Sequence, residues 1–252
     1  MKIEKKLWII LFAFGIFAIC FSGWIFRQST AREKLFWDNT IRCETKELKE
    51  GEIKSENIAL PEDFDVPKSI LFKTTHTIAE VWLDGEKIYE YGNEADAPGF
   101  MKTPGSCWHI VDIPGDSSGK NLEIRIIPVY EGYYGNEVSL VYGTRGDCIL
   151  KILTDSLGIP VISCGILFAA VICILLYCGA ARRKRSDKTE AKIEIFLNLG
   201  FFSLLVAVWT LVQCGFLQFL IPDGRTLYFV EYFSLFLFPV PFNFLLYDIC
   251  KS

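Results

Sequence analysis

Four stretches of this 252-residue chain carry little or no charge over the length needed to cross a lipid bilayer: Leu7–Phe26, Leu157–Ala180, Ile195–Leu220 and Tyr228–Ile249. A hydrocarbon core about 30 Å thick takes roughly 20 apolar residues as a helix. Lipid offers no partner to an unpaired backbone N–H or C=O, so such runs are read as helices. The composition agrees: the chain is 51% hydrophobic and 15% aromatic, with a mean hydropathy of +0.31. That is apolar for a soluble protein. The expectation is therefore a membrane protein with several spans.

The first run follows Lys2, Lys5 and Lys6 and has Trp8 and Trp24 near its ends, where interfacial aromatics are expected. It is read as an uncleaved signal anchor over residues 7–26, behind a cytoplasmic N-terminus at 1–6. A cleaved signal peptide is the other reading. Against it, the run is long and no small-x-small site follows; Cys20 comes after Ile19, a poor lipoprotein context.

Charge sets the orientation. Between Arg27 and Asp155 there are 15 basic and 23 acidic residues, a net of −8; Ala181–Lys192 holds six basic and two acidic, a net of +4. Short basic loops stay in the cytoplasm. Arg182, Arg183, Lys184 and Arg185 thus fix topology and present a surface for anionic lipid headgroups. The order expected is an extracytoplasmic domain at 27–156, a span at 157–180, a basic cytoplasmic loop at 181–194 and a span at 195–220. An external turn at 221–227, a span at 228–249 kinked by Pro239 and Pro241, and a cytoplasmic end at 250–252 follow. Glu231 and Asp248, near the ends of the last span, are read as interfacial charges ahead of intramembrane functional groups. An acidic exported domain does not fit nucleic-acid binding.

The exported part reads as β-structure. Ala79-Glu80-Val81-Trp82-Leu83 alternates, with Ala79, Val81 and Leu83 on one face and Glu80, Trp82 and Asp84 on the other. Asp84-Gly85 is a favoured hairpin turn, because a type I′ turn needs positive φ at both central residues. Ile88-Tyr89-Glu90-Tyr91 returns, and Leu122–Ile127 alternates again. Further strands are read at Ser69–Thr75 and Val138–Gly143, with a first one within Glu52–Leu60. Gly146–Leu153 is a last strand or a lead-in to the membrane, and Arg27–Gly51 a linker or short helix.

Three segments recur in a known order: Ala79-Glu80-Val81-Trp82-Leu83-Asp84-Gly85, Ile110-Val111-Asp112-Ile113-Pro114 and Gly119-Lys120-Asn121-Leu122-Glu123-Ile124-Arg125-Ile126. Over residues 50–145 this resembles the sugar-binding jelly roll of the β-galactosidase and β-glucuronidase group. The resemblance implies a galactose-binding-like, all-β jelly-roll sandwich. Asp84 stands where that family usually has Asn. An exported jelly roll ahead of several spans, together with Lys102–His109 and Ile113-Pro114, resembles the N-terminal portion of bacterial seven-transmembrane receptors with diverse intracellular signalling modules. In that family the output is often a diguanylate cyclase or a histidine kinase. Here three spans follow the exported domain and no such motif is present. That leaves a fragment of a longer receptor or a short relative.

The chemistry-bearing residues are sparse. The two histidines, His76 and His109, have no His or Cys at metal-ligand spacing, so no metal and no cofactor is expected. Catalytic and phosphate-loop motifs are missing, and the carboxylate pairs Asp63/Asp65 and Glu94/Asp96 read as solvated loops, so this chain is not read as an enzyme. The ligand candidates are aromatic: Trp82, Trp108, Tyr130, Tyr133 and Tyr134, with His109, Glu80 or Glu131 as polar partners for a carbohydrate. The competing reading packs Trp82 and Trp108 into the core or against a second sheet. Cys43 and Cys148 are the pair that would tie the domain's ends together if a disulfide forms; an all-reduced state is the alternative. The partners expected are the bilayer and a small ligand or another membrane protein, with a homodimer open and nucleic acid excluded. The function expected is a membrane sensor, ahead of a docking module and an exported carbohydrate-active enzyme.

Overall fold

The computed structural model describes residues 40–43, 53–93, 100–130, 138–182 and 187–251, with backbone alone at 40–43, 54, 63, 138–139, 187–192 and 251. The signal anchor at 7–26, Cys20, Glu94, Asp96, Glu131, Tyr133, Tyr134, and Arg183 to Arg185 lie outside the described residues. The chain divides into two units. One is a β unit that also takes in residues 218–228; the other is a helical unit.

The β unit holds eight strands: β1 (Thr40–Cys43), β2 (Lys54–Ala59), β3 (Lys68–Thr75), β4 (Thr77–Leu83), β5 (Glu86–Tyr91), β6 (Ser106–Ile113), β7 (Asn121–Pro128) and β8 (Val138–Gly143). They form two four-stranded sheets in the orders β1-β8-β3-β6 and β2-β7-β4-β5, and every pairing is antiparallel. The alternation read from the sequence is what the sheets use. Ala79, Val81 and Leu83 of β4 meet Leu122, Ile124 and Ile126 of β7 and Ile70, Phe72, Val111 and Ile113 of the other sheet in one buried core. Asp84 (φ 48°) and Gly85 (φ 85°) both take positive φ in the β4–β5 turn, as a type I′ hairpin requires. The β4–β5 register then slips between Val81 and Trp82.

One segment departs from the sequence reading, and for another the structure takes the second of two alternatives, a lead-in to the membrane-length helix. β1 lies inside the stretch read as linker or helix. Gly146–Leu153 belongs to a helix, α1 (Arg145–Ser156), and not to a strand. A capping box nucleates it: the Asp147 N–H donates to Thr144 Oγ1 (3.2 Å) and the Thr144 N–H donates back to Asp147 Oδ2 (2.9 Å). Cys148 and Ile152, one turn apart, are both fully buried. Cys148 Sγ donates to the Ser69 carbonyl of β3 (3.7 Å), and Arg145 pairs with Asp112 of β6 (2.5 Å). The helix is thereby fixed to the sheet.

The helical unit is built from α2 (Gly158–Ala181), α3 (Asp187–Val212), α4 (Gly224–Leu237) and α5 (Pro239–Lys251), although α4 begins in the β unit. Among the described residues three segments are long and apolar enough to cross a membrane: Gly158–Ala181, Ile193–Val212 and Gly224–Cys250. The second ends at Val212, short of the Leu220 read from the sequence, because Gly215–Phe219 winds into a 3-10 turn. The third breaks at Phe238, just before Pro239, where a missing backbone donor was expected to bend it. Small residues let α2 and α3 approach. A Cβ added at Gly200 would lie 2.8 Å from Ile174 Cγ1 and 3.3 Å from the Ala170 carbonyl. Ser163 Oγ donates to Thr210 Oγ1 across the same pair (2.8 Å). Glu231 accepts from Gln213 (3.2 Å) on the surface. Asp248, two residues from the end of the third segment, is 3% exposed and accepts from Asn198 Nδ2 at 2.6 Å.

Candidate functional site

The ligand candidates occupy different faces of the β unit. Trp82 points away from the core, as the alternation of β4 requires. It is not a bare stacking platform: the Arg125 guanidinium lies 4.3 Å from its ring centre, Lys87 Nζ lies 5.6 Å away, and its indole N–H donates to Glu80 (3.0 Å). Arg125 also holds Glu123 in a fork of 2.7 and 3.0 Å, and its hydrogen bond keeps the Glu123 carboxyl below the usual range. Trp108 sits half-buried on β6, the outer strand of the other sheet, with Lys73 Nζ 5.7 Å from its ring. Neither Trp enters the core.

His109 does enter it. It has no exposed surface, packs 4.8 Å from Phe72 and 4.9 Å from Tyr91, and bonds Thr74 through Nε2 (2.6 Å) and Tyr89 through Nδ1 (2.9 Å). Burial pushes its pKa down to about 3. It is thus a neutral core residue, with both ring nitrogens satisfied, and it is not displayed to a ligand at the surface. Tyr130 is 38% exposed and lies 6.0 Å from the His76 ring. Cys148 is a free buried thiol whose pKa burial raises to about 11; of Cys43 only the backbone, in β1, is described. Arg182 is exposed at the end of α2.

What the sequence did not reveal is the segment seated on β6. Residues 218–228, the end of the α3–α4 connection and the first residues of α4, belong to the β unit. Gln218 imitates a neighbouring strand: its Oε1 accepts the Trp108 N–H (2.9 Å) and its Nε2 donates to the Trp108 carbonyl (3.0 Å). An outer strand has a row of backbone groups without strand partners, and one amide side chain here satisfies both groups of one residue. Six residues along, the backbones of Gly105 and Gly224 meet so closely that a Cβ on Gly105 would run into the Gly224 carbonyl, and one on Gly224 into Tyr91 Oη. Gly105 also needs its positive φ of 82°. Tyr91 Oη donates to the Pro104 carbonyl (2.9 Å), Arg225 Nη2 to the Asn93 carbonyl (2.7 Å), and Tyr228 stands edge-on to His76 at 5.1 Å. Asp223 caps α4 by accepting from the N–H groups of Arg225 (3.1 Å) and Thr226 (3.2 Å).

His76 is itself fixed. It adopts a positive φ of 55°, bonds Thr103 Oγ1 through Nδ1 (2.8 Å), and has its pKa lowered by burial. Thr103 Oγ1 in turn accepts the Gly105 N–H (3.0 Å). The clasp therefore rests on four anchors: Trp108–Gln218, Gly105–Gly224, Asn93–Arg225 and His76–Tyr228. Nucleophile–base geometry does not arise from this set. The two nearby Tyr hydroxyls and the Cys107 thiol are all pushed up by burial, Tyr89 to about 12 and Cys107 to about 11. The arrangement is one of mechanical attachment. No protein-family model, curated protein or solved structure matches the chain.

Proposed function

We propose that the protein is a membrane sensor segment. In this reading an extracytoplasmic jelly roll of galactose-binding-like type receives a small ligand or a partner. It passes a change of state to the membrane helices and on to a cytoplasmic effector, in the manner of the seven-transmembrane receptors the sequence resembles. The observation that carries the reading is the clasp. A segment covalently continuous with α3 and α4 is tied to Trp108 of β6, to the Asn93 carbonyl and to the His76 ring. Helix α1, bonded to β3 and β6, leads within two residues into α2. Three helix-bearing connections are thus coupled to the state of the β unit, and a receptor needs an element whose two arrangements a ligand can bias. Two facing antiparallel sheets around one core support the jelly-roll reading.

A docking module is the second reading. It is favoured by the dispersal of Trp82, Trp108 and Tyr130 over separate faces and by the Arg125 guanidinium against the Trp82 ring. The test uses the full chain in lipid nanodiscs, screened by thermal shift against sugars, carboxylates and short peptides. A sensor gives a hit that raises the melting temperature and alters hydrogen exchange across 218–228 and at the Trp108 amide. No hit defeats the small-ligand form. A hit that leaves 218–228 unchanged defeats the coupling, and a stable protein partner without any ligand response supports docking.

A further inference from the structure

Buried positions recur every seven residues along α4 and α5: Leu227, Ser234, Pro241 and Asp248. Phe229, Phe233, Phe236 and Phe244 are exposed. A seven-residue repeat is the seam of one helix lying along another. The helix it meets is α3. At one end Gln213 Nε2, just past α3, donates to Glu231 Oε1 (3.2 Å); at the other Asn198 Nδ2 donates to Asp248 Oδ2 (2.6 Å). Rings lie between these two amide–carboxylate ties. Phe202 meets Phe238 at 5.9 Å and Phe242 at 5.7 Å, and Trp209 meets Phe238 at 6.0 Å.

The helix is broken at those rings. Pro239 and Pro241 have no N–H for the Leu235 and Leu237 carbonyls, and the Phe238 N–H turns to Leu235, three residues back (3.3 Å). One turn earlier, Ser234 Oγ donates to the Val230 carbonyl (2.7 Å), a bond that bends helices. The two ties are unequal. Asp248 is buried, whereas the Gln213–Glu231 bond is longer and exposed. Beyond the weaker tie, α4 begins in the clasp, where Arg225 bonds the Asn93 carbonyl. We propose that α4 is a hinged arm that tilts about Phe238 while α5 stays on α3, with Gln213–Glu231 as its latch. Its role rests on the sensing reading, for which it names the connection that moves.

The experiment uses the full chain in lipid nanodiscs without any ligand and measures distances between nitroxide labels by pulsed electron spin resonance. Ile162→Cys with Phe229→Cys reports on α4, and Leu175→Cys with Leu246→Cys reports on α5; all four positions are exposed. Cys20, Cys43, Cys164, Cys178 and Cys250 are replaced by serine in every sample. Glu231→Ala opens the latch. Phe229 lies about 13 Å of helix from Phe238, so a tilt of about 10° moves it by about 2 Å. A shift or broadening of that size in the α4 pair is expected, with the α5 pair unchanged. Replacing Pro239 and Pro241 by alanine restores the backbone donors, and Glu231→Ala then moves both pairs or neither. The proposal is overturned by an α4 pair that keeps its distance in Glu231→Ala, by an α5 pair that moves with it while the prolines are present, or by an α4 pair that still moves alone without them. Should Glu231→Ala fail to fold, Gln213→Ala is held to the same outcomes. Gln218→Ala with Arg225→Ala loosens the clasp and is expected to move the α4 pair as well. Movement on opening the latch but not on loosening the clasp keeps the hinge and defeats the coupling that sensing needs.

Discussion

His109 shows how one side chain can make the β unit sensitive to acid without taking part in any reaction. Its neutral ring satisfies both nitrogens on Thr74 and Tyr89 inside the core. Protonation would place a charge where there is no water, so the folded pKa drops to about 3 from 6.5. The folded state thus resists protonation more than the unfolded state. Its contribution to stability is complete above pH 6.5 and is lost as pH falls toward 3. Between pH 6.5 and 5, before most carboxylates titrate, one such group removes up to about 2 kcal/mol. His109→Gln should flatten the melting temperature across that window, while His76, also lowered, leaves a smaller slope. An unchanged slope in the variant, followed by scanning fluorimetry, would refute the assignment. At the same scale, Gly105→Ala introduces a methyl group against the Gly224 carbonyl in a left-handed backbone. A cost of about 1–3 kcal/mol is expected. Faster hydrogen exchange in 218–228 is its local signature, and a variant with wild-type exchange there would remove Gly105 from the clasp.

At the scale of elements, the sheets could be read because alternation and turn chemistry are local signals. Asp84-Gly85 dictated the hairpin, and Val81 and Leu83 went to the core as their period required. Trp82 went outward by the same rule, yet its neighbour Arg125 comes from β7, more than forty residues on, and no local pattern announces that contact. His109 was misplaced for a related reason. A polar residue looked like a displayed group until Thr74 and Tyr89, from other strands, satisfied it. Helix α1 did have a signal, the Thr144-x-x-Asp147 capping box, which the apolar run after it concealed. The clasp had none: Gln218 lies in an apolar stretch, 110 residues from Trp108. Helix contact is equally a matter of shape. Gly200 admits Ile174 and the Ala170 carbonyl, and Ala207, two turns on, is buried as well. Gly200→Leu should force α2 and α3 apart and lower the melting temperature by several degrees. Gly179→Leu, where an added Cβ meets nothing within 4 Å, is the matched control. Equal melting temperatures for the two variants would show that close approach at Gly200 is dispensable.

Orientation belongs to the whole molecule, and it follows from charge distribution. The segment before α2 is net acidic, and the segment after it is net basic within twelve residues. Moving Arg182 and its basic neighbours across a bilayer opposes the bias that retains short Lys/Arg-rich loops in the cytoplasm. The sensing proposal therefore puts the β unit on the extracytoplasmic side, and residues 218–228 must share its side because Gln218 is bonded to Trp108 and Arg225 to Asn93. Charge bias proposes the side, and the clasp requires that residues 218–228 share it with the β unit. A single cysteine at Asn57, on β2, should react with a membrane-impermeant maleimide in intact cells, as should one at Thr226. A cysteine at Asp187, at the start of α3, should react only after permeabilisation. The three are made in a background in which Cys20, Cys43 and the cysteines exposed among the described residues, Cys164, Cys178 and Cys250, are replaced by serine. Opposite labelling of positions 57 and 226 would break the clasp, because its partners would then be separated by the membrane. Labelling of position 187 from outside, with 57 protected, would invert the protein and place the β unit in the cytoplasm. The sensing proposal would then lose its extracytoplasmic ligand.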